Sequence, residues 1–165
     1  MSEDVTAIAP AHGKAGAAAD HRDFVSVTIA NQMFGIPVLQ VQDVLGSQRI
    51  TRVPLAPPEV AGSLNLRGRI VTAIDVRVRL RLPPRSEGKQ AMSVVVDHGG
   101  ELYSLLVDSV GEVLSLKLSD AERNPATLDP IWREVSTGIY RLDGNLLLVL
   151  DVAKVLDFST RAAAA

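Results

Sequence analysis

Three histidines are the first candidates for acid–base or metal chemistry in this 165-residue chain: His12, His21 and His98. His12 and His21 stand near the start, and His98 sits in the turn-like Asp97-His98-Gly99-Gly100. One loop histidine with no second ligand at metal spacing and no serine or aspartate in register makes neither a metal site nor a triad. His98 reads as a hairpin turn residue. There is no cysteine, which removes disulfides, thiolate nucleophiles and most structural zinc sites. No phosphate-binding glycine loop is present. Asp75 and Asp151 each precede a short helical candidate, where capping explains an aspartate better than acid catalysis does. No catalytic residue, metal or cofactor is expected.

Arginine supplies the remaining chemistry. Arg77, Arg79, Arg81 and Arg85 in DVRVRLRLPPR form the one basic run. On a strand the first three share a face, as a nucleic-acid surface or as a solvated basic face. Only 4% of residues are aromatic and net charge is −2, which speaks against nucleic acid. A second arginine is more singular. GSLNLRGRIVTAID (62–75) is core-grade sequence, yet it holds Asn65, Arg67 and Arg69 between Gly62 and Gly68. By strand parity Leu64, Leu66, Ile70 and Ile74 face a core, while Asn65 and Arg67 point outward. Asp43 is the natural partner for Arg67. Such an exposed pair adds at most about 1 kcal/mol; its value is to hold a planar, five-donor guanidinium in place.

The elements that position these residues are mostly strands. FVSVTIA alternates, and AMSVVVD, ELYSLLVD, GEVLSLKLS and NLLLVLDV are short apolar runs between Gly, Pro and Asn turns. Asp97–Glu101 reads as a hairpin turn. DVAKVLDF (151–158) is the best helix candidate. Residues 1–22, rich in Ala, read as a flexible tail, and 159–165 as a frayed end. No apolar run approaches 18 residues, so no membrane-spanning helix is expected. The acidic start has no apolar region of a secretory signal.

The sequence also repeats itself. FGIPVLQVQDVL (34–45) aligns without a gap on YSLLVDSVGEVL (103–114), and GSLNLRGRIVTAIDVRVRL (62–80) on GIYRLDGNLLLVLDVAKVL (138–156). The second copy carries a seven-residue insertion between the blocks, within Ser115 to Thr137. Two similar small β-barrels are the expected architecture, the first about 24–82 and the second about 90–158. Units of this size are marginal alone and should share an apolar seam. Val94-Val95-Val96 and Leu146–Leu150 do not alternate, as strands buried on both faces would not. In this alignment the basic run 77–81 matches DVAKVLDF, so it reads as a helical turn as readily as a strand. FVSVTIA can complete its own barrel or cross to the other.

GIPVLQVQDVL, RVP, the proline loop and GSLNLRGRIVTAIDVR resemble the CheW family of bacterial chemotaxis adaptors. VVDHGGELYSLLVDSVGEVLSL and GIYRLDGNLLLVLDVAKVL fit the same pattern, so the likeness covers roughly 23–158, within a domain expected at 23–160. It implies an all-β fold of two five-stranded SH3-like barrels related by a pseudo-twofold, with a short C-terminal helix. It implies no enzymatic activity, a cytoplasmic place at membrane receptor arrays, and two partners: the regulatory domain of the histidine kinase CheA and the cytoplasmic tip of chemoreceptors. No nucleic acid or membrane insertion is implied. Partner contacts then fall at Val41, Asp43, Gly62, Asn65, Arg67 and Gly68, with Met92, Val110 and Val113 in the second copy. Val41 and Val110 read equally as core. The second copy has Asp143 where the first has Arg67, while Glu112 keeps the sign of Asp43, so the pair belongs to one copy only. Two positions depart from the family habit: Thr72-Ala73-Ile74-Asp75 lacks a proline before the aspartate, and Ser104 stands where glycine is frequent. A related motility or developmental pathway is the alternative setting, and a nucleic-acid-binding barrel the alternative class.

Overall fold

The structure is a computed structural model that describes residues 20–86 and 88–158. The expected tail, apart from its last three residues, and the expected frayed end 159–165 lie outside the described residues. The tail boundary moves back: β1 (His21–Ile29) begins two residues earlier than expected, with His21 opposite Lys117 and Arg22 opposite Leu116.

Among the described residues ten strands follow one another: β1, β2 (Gln32–Pro37), β3 (Val41–Leu45), β4 (Val60–Leu66), β5 (Arg69–Asp75), β6 (Met92–His98), β7 (Glu101–Val107), β8 (Ser109–Lys117), β9 (Ser136–Leu142) and β10 (Asn145–Leu150). Among the described residues three short helices accompany them: α1 (Val76–Arg79), α2 (Pro130–Val135) and α3 (Val152–Val155). The strands form two five-stranded sheets, the first in the order β8-β1-β2-β10-β9 and the second in the order β3-β6-β7-β5-β4. Replacing each strand by its repeat mate converts one order into the other. The duplication is therefore structural, as the two aligned blocks require.

The contiguous division into 24–82 and 90–158 does not coincide with the sheets. The β1–β2 hairpin of the first copy lies among the second copy's β8, β9 and β10, and the β6–β7 hairpin lies among β3, β4 and β5. FVSVTIA crosses. The exchange works through parallel pairs, β2 with β10 (Phe34 opposite Leu148) and β5 with β7 (Ile74 opposite Leu105). Parallel neighbours need a long connection; residues 76–100 supply it between β5 and β7, and residues 38–144 between β2 and β10. At the ends of each sheet a single bridge draws the outer segments together: Thr51 with Ser63, and Glu122 with Ile139.

The seam between the sheets is the main core. Val27, Phe34, Ile36 and Leu148 from the first sheet meet Ile74, Val94, Val96 and Leu105 from the second, with Val76, Val152 and Val155 of the short helices. Each sheet keeps a smaller cluster on its other face: Phe24, Tyr140, Leu147 and Val149, and Leu64, Val71, Ala73 and Leu106. Along β10, Leu147 and Val149 face one cluster while Leu148 and Leu150 face the seam, which is why that run does not alternate.

Asp75 and Asp151 cap α1 and α3. Asp75 Oδ1 accepts from Arg77 N–H at 3.0 Å, and Asp151 Oδ1 from Lys154 N–H at 3.2 Å. The basic run is thus helical over Val76–Arg79. Asp151→Ala is expected to cost about 1 kcal/mol in urea unfolding. A loss near zero would show that α3 is held by Val152 and Val155 alone.

Candidate functional site

The β4–β5 hairpin presents Arg67. Leu66 pairs with Arg69, so Arg67 and Gly68 alone make the turn, with φ of 52° and 85°. Two consecutive left-handed residues suit the twist of a two-residue hairpin, and glycine takes the second at no cost. The Asn65 side chain accepts from Gly68 N–H at 3.0 Å and stiffens the turn. Arg67 Nη2 lies 2.9 Å from Asp43 Oδ2, with the arginine side chain 75% exposed and the aspartate 25%. The expected pair therefore forms. It joins the outermost strands of the second sheet, β3 and the β4 end. A register shift in β3, where Val41 faces Val96 but Asp43 faces Val95, aims the carboxylate. Asp43 Oδ1 also accepts from Val44 N–H at 2.9 Å.

Parity fails at one residue. Ile70 was expected inward and is 70% exposed. Across a two-residue turn the inward set passes from even to odd numbers: Leu64 pairs with Val71, while Asn65 pairs with Ile70. Ile70 therefore shares the outer face with Asn65, and the inward residues of β5 on this face are Val71 and Ala73. The Arg-Gly turn was the readable signal. Val44, beside Asp43, is also exposed, as are Val53 and Leu55 of the proline-rich loop before β4.

The other candidates separate. Gly62 is buried and has no surface to offer; a side chain there would run into the backbone carbonyl of Thr51. Val41, Met92 and Val110 are half-buried and pack on the seam. Val113 is 59% exposed on β8 and lies on the first sheet, away from the sheet that bears Arg67. Val44 and Val113 are repeat mates, so each sheet shows one exposed valine on its outer strand. Only the second sheet adds an arginine turn. At the equivalent turn of the first sheet stands Asp143, and the ion pair nearby joins Arg141 to Glu122 at 3.0 Å.

Of the basic run only Arg81 is an exposed residue; the other three arginines are engaged. Arg77 and Arg85 both bind Asp108, and Arg79 is 3% exposed, donating to main-chain carbonyls of α3. Asp108 is held below the usual carboxylate range, first by the Arg77 hydrogen bond, against burial, and with help from the Ala30 N–H and the Arg85 charge. A depressed folded-state pKa gives stability that is complete above the unfolded value, about 4, and is lost as pH falls through the lowered one. Asp108→Asn is expected to flatten the acid side of a Tm-against-pH curve below about pH 4. An acid side as steep as wild type would place the proton uptake elsewhere.

Among the described residues no group of three or more His, Cys, Asp or Glu side chains could hold a metal ion, and no helix is long and apolar enough to cross a membrane. What the described surface offers is an arginine turn with flanking apolar residues on one sheet and an acidic turn on the other.

The family described as CheW-like domain matches residues 23–159. The chain belongs to the CheW family. Its CheW-like domain is 31% identical to the chemotaxis protein CheW of Klebsiella aerogenes over 135 residues, 82% of this chain and 81% of that one. It is 27% identical to the CheW of Helicobacter pylori, over 81% of this chain and 80% of that one. Among solved structures, the scaffolding protein CheW of Thermoanaerobacter tengcongensis superposes with a TM-score of 0.74 at 25% identity, covering 82% of this chain and 92% of that one. The CheW-like domain thus sits among chemotaxis scaffold and adaptor proteins, with the two-sheet layout expected of them.

Proposed function

We propose that the protein is a non-enzymatic adaptor that couples the cytoplasmic tips of chemoreceptors to the regulatory domain of the histidine kinase CheA. It works in the cytoplasm and is recruited to membrane receptor arrays. One observation carries this reading: two sheets of the same design present unlike outer surfaces. The second shows Arg67, fixed by Asp43, beside exposed Ile70 and Val44. The first shows Val113 and the acidic Asp143 turn. A bridging protein needs two sites that do not compete, and a duplicated fold with diverged turns supplies them. A fixed guanidinium next to apolar side chains is a composition that binding hot spots favour.

The residues assigned to contact are Asp43, Asn65, Arg67, Gly68 and Val113, joined by Ile70 and Val44. Val41, Met92 and Val110 act beneath them by setting the strands that carry the contacts. Each interface alone is small, so assembly gains from multivalency. Calorimetric titration against the CheA regulatory domain, beside capture on receptor-tip assemblies, tests this. Binding of both partners at once supports the adaptor. Binding of neither, with salt-sensitive binding of RNA instead, would move the protein to the nucleic-acid reading. Ile70→Asp should leave the free energy of unfolding in urea within about 0.5 kcal/mol of wild type, as an exposed change does, and weaken one partner. If neither affinity moves, Ile70 lies off the interface.

A further inference from the structure

The two crossovers that carry the chain from one sheet to the other hold equivalent places in the duplication but are built differently. After β2 the chain crosses through the 3-10 turn Val38–Gln40, where Leu39 is 93% exposed. After β7 it crosses at Asp108 alone, between Val107 and Ser109. The ungapped alignment sets Leu39 against Asp108.

Asp108 is tied to both sheets. It accepts from Arg77 Nε at 2.9 Å and Nη2 at 2.7 Å, and from Arg85 Nε at 3.0 Å, all in the segment that follows β5 of the second sheet. It also accepts from the backbone N–H of Ala30 at 2.8 Å, while its own N–H donates to Thr28 O at 3.1 Å; both belong to the β1–β2 hairpin of the first sheet. The same helix α1 makes a second tie. Arg79 donates through Nε to Val155 O and through Nη2 to Lys154 O, each at 2.8 Å, on α3, which follows β10 of the first sheet. In the alignment Arg77 and Arg79 stand against Ala153 and Val155. Neither tie has a mate in the other copy.

The apolar seam between the sheets is non-directional and resists separation more than rotation. Forked, charge-assisted hydrogen bonds are directional. We infer that Arg77, Arg79 and Asp108 are positioning residues that lock one sheet's orientation against the other, and that the Val38–Gln40 crossover is the compliant side. This rests on the adaptor reading only for its consequence: the locked angle sets the spacing of the two partner surfaces.

The chain has no cysteine, so the full-length protein accepts two spin labels cleanly. His98→Cys on the second sheet and Ser115→Cys on the first are exposed positions outside the contacts proposed above. Pulsed electron–electron resonance should give one narrow distance in this background. Asp108→Asn and Arg79→Met should broaden it while circular dichroism and cooperative unfolding persist. An unchanged width in either folded variant overturns the lock assigned to that residue. Should Asp108→Asn not fold, Arg77→Lys, which keeps the charge and loses the fork, decides the same point by the same width. In the functional arm, each partner alone should bind the folded variants as it binds wild type, and the three-component assembly should fall roughly tenfold. Broadening with undiminished assembly overturns the consequence. If wild type binds neither partner, the adaptor reading falls while the distance widths still decide the lock.

Discussion

Arg67→Glu is expected to leave the protein folded and to weaken binding to one partner by about 30-fold or more while sparing the other. The side chain is 75% exposed, and its pair with Asp43 contributes at most about 1 kcal/mol to the fold. The turn does not depend on it, since Asn65 and Gly68 make the local hydrogen bond. At an interface the arithmetic differs. There the guanidinium loses water on docking, and removing it strands the partner group it met. Such losses run to roughly 2 kcal/mol or more, about 30-fold in Kd. Glutamate adds repulsion, because its carboxylate would stand beside that of Asp43, the guanidinium's present partner. Urea midpoints and paired titrations separate the two effects. The double variant Asp43→Arg, Arg67→Asp restores an ion pair but moves the cation to β3. If it recovers binding, the pair matters; if only the single variant's loss persists, the position of the guanidinium matters. Unchanged affinity for both partners in Arg67→Glu would remove this turn from the interface.

The second large effect falls on stability. Gly62→Ala should cost more than about 3 kcal/mol, the range reached when backbone strain and overpacking coincide. A methyl group there would press into the Thr51 carbonyl and sit 2.7 Å from Ile50 Cγ2, at a φ of 152° that L-residues rarely adopt. The Thr51–Ser63 bridge, with N–H···O distances of 2.8 Å in both directions, would have to open. The repeat mate Gly138 is a built-in comparison. Its added methyl would meet Glu122 O at 2.8 Å without the positive φ, so Gly138→Ala should cost less. Denaturant titration of both variants checks the order. Equal and small losses would mean that the 46–59 loop yields readily. Any binding defect of Gly62→Ala should follow its unfolding, since the glycine is buried.

Much of the site was legible because its logic is local. Arg67, Asn65 and the bracketing glycines stand within seven residues, and their outward parity follows from strand geometry. Asp43 was found by charge sign alone, and the 2.9 Å contact agrees. Ile70 was missed because the parity count ran straight through a two-residue turn that reverses it. Gly62 reads as either a bend or a contact; which of the two depends on Thr51, eleven residues away and joined to the neighbouring Ser63 by an isolated bridge. The basic run misled for a similar reason. Nothing in DVRVRLRLPPR says that Arg77 and Arg85 converge on Asp108, or that Arg79 reaches the carbonyls of α3.

By itself the sequence determined the strand-rich class, the duplication, the capped short helices, the doubly buried runs and the one arginine turn. Each is written in nearest-neighbour terms: alternation, turn residues, or identity at a constant offset. The tertiary structure alone decided that the first hairpin of each copy completes the other copy's sheet, and that the chain crosses between the sheets on one side at Asp108 and on the other through the 3-10 turn Val38–Gln40. Both hairpins carry the same hydrophobic pattern, so either sheet would satisfy either one. The choice rests on short crossovers and on the half-buried Arg77 and buried Arg79, whose partners lie 31 and 76 residues away, distances over which local pattern carries no information.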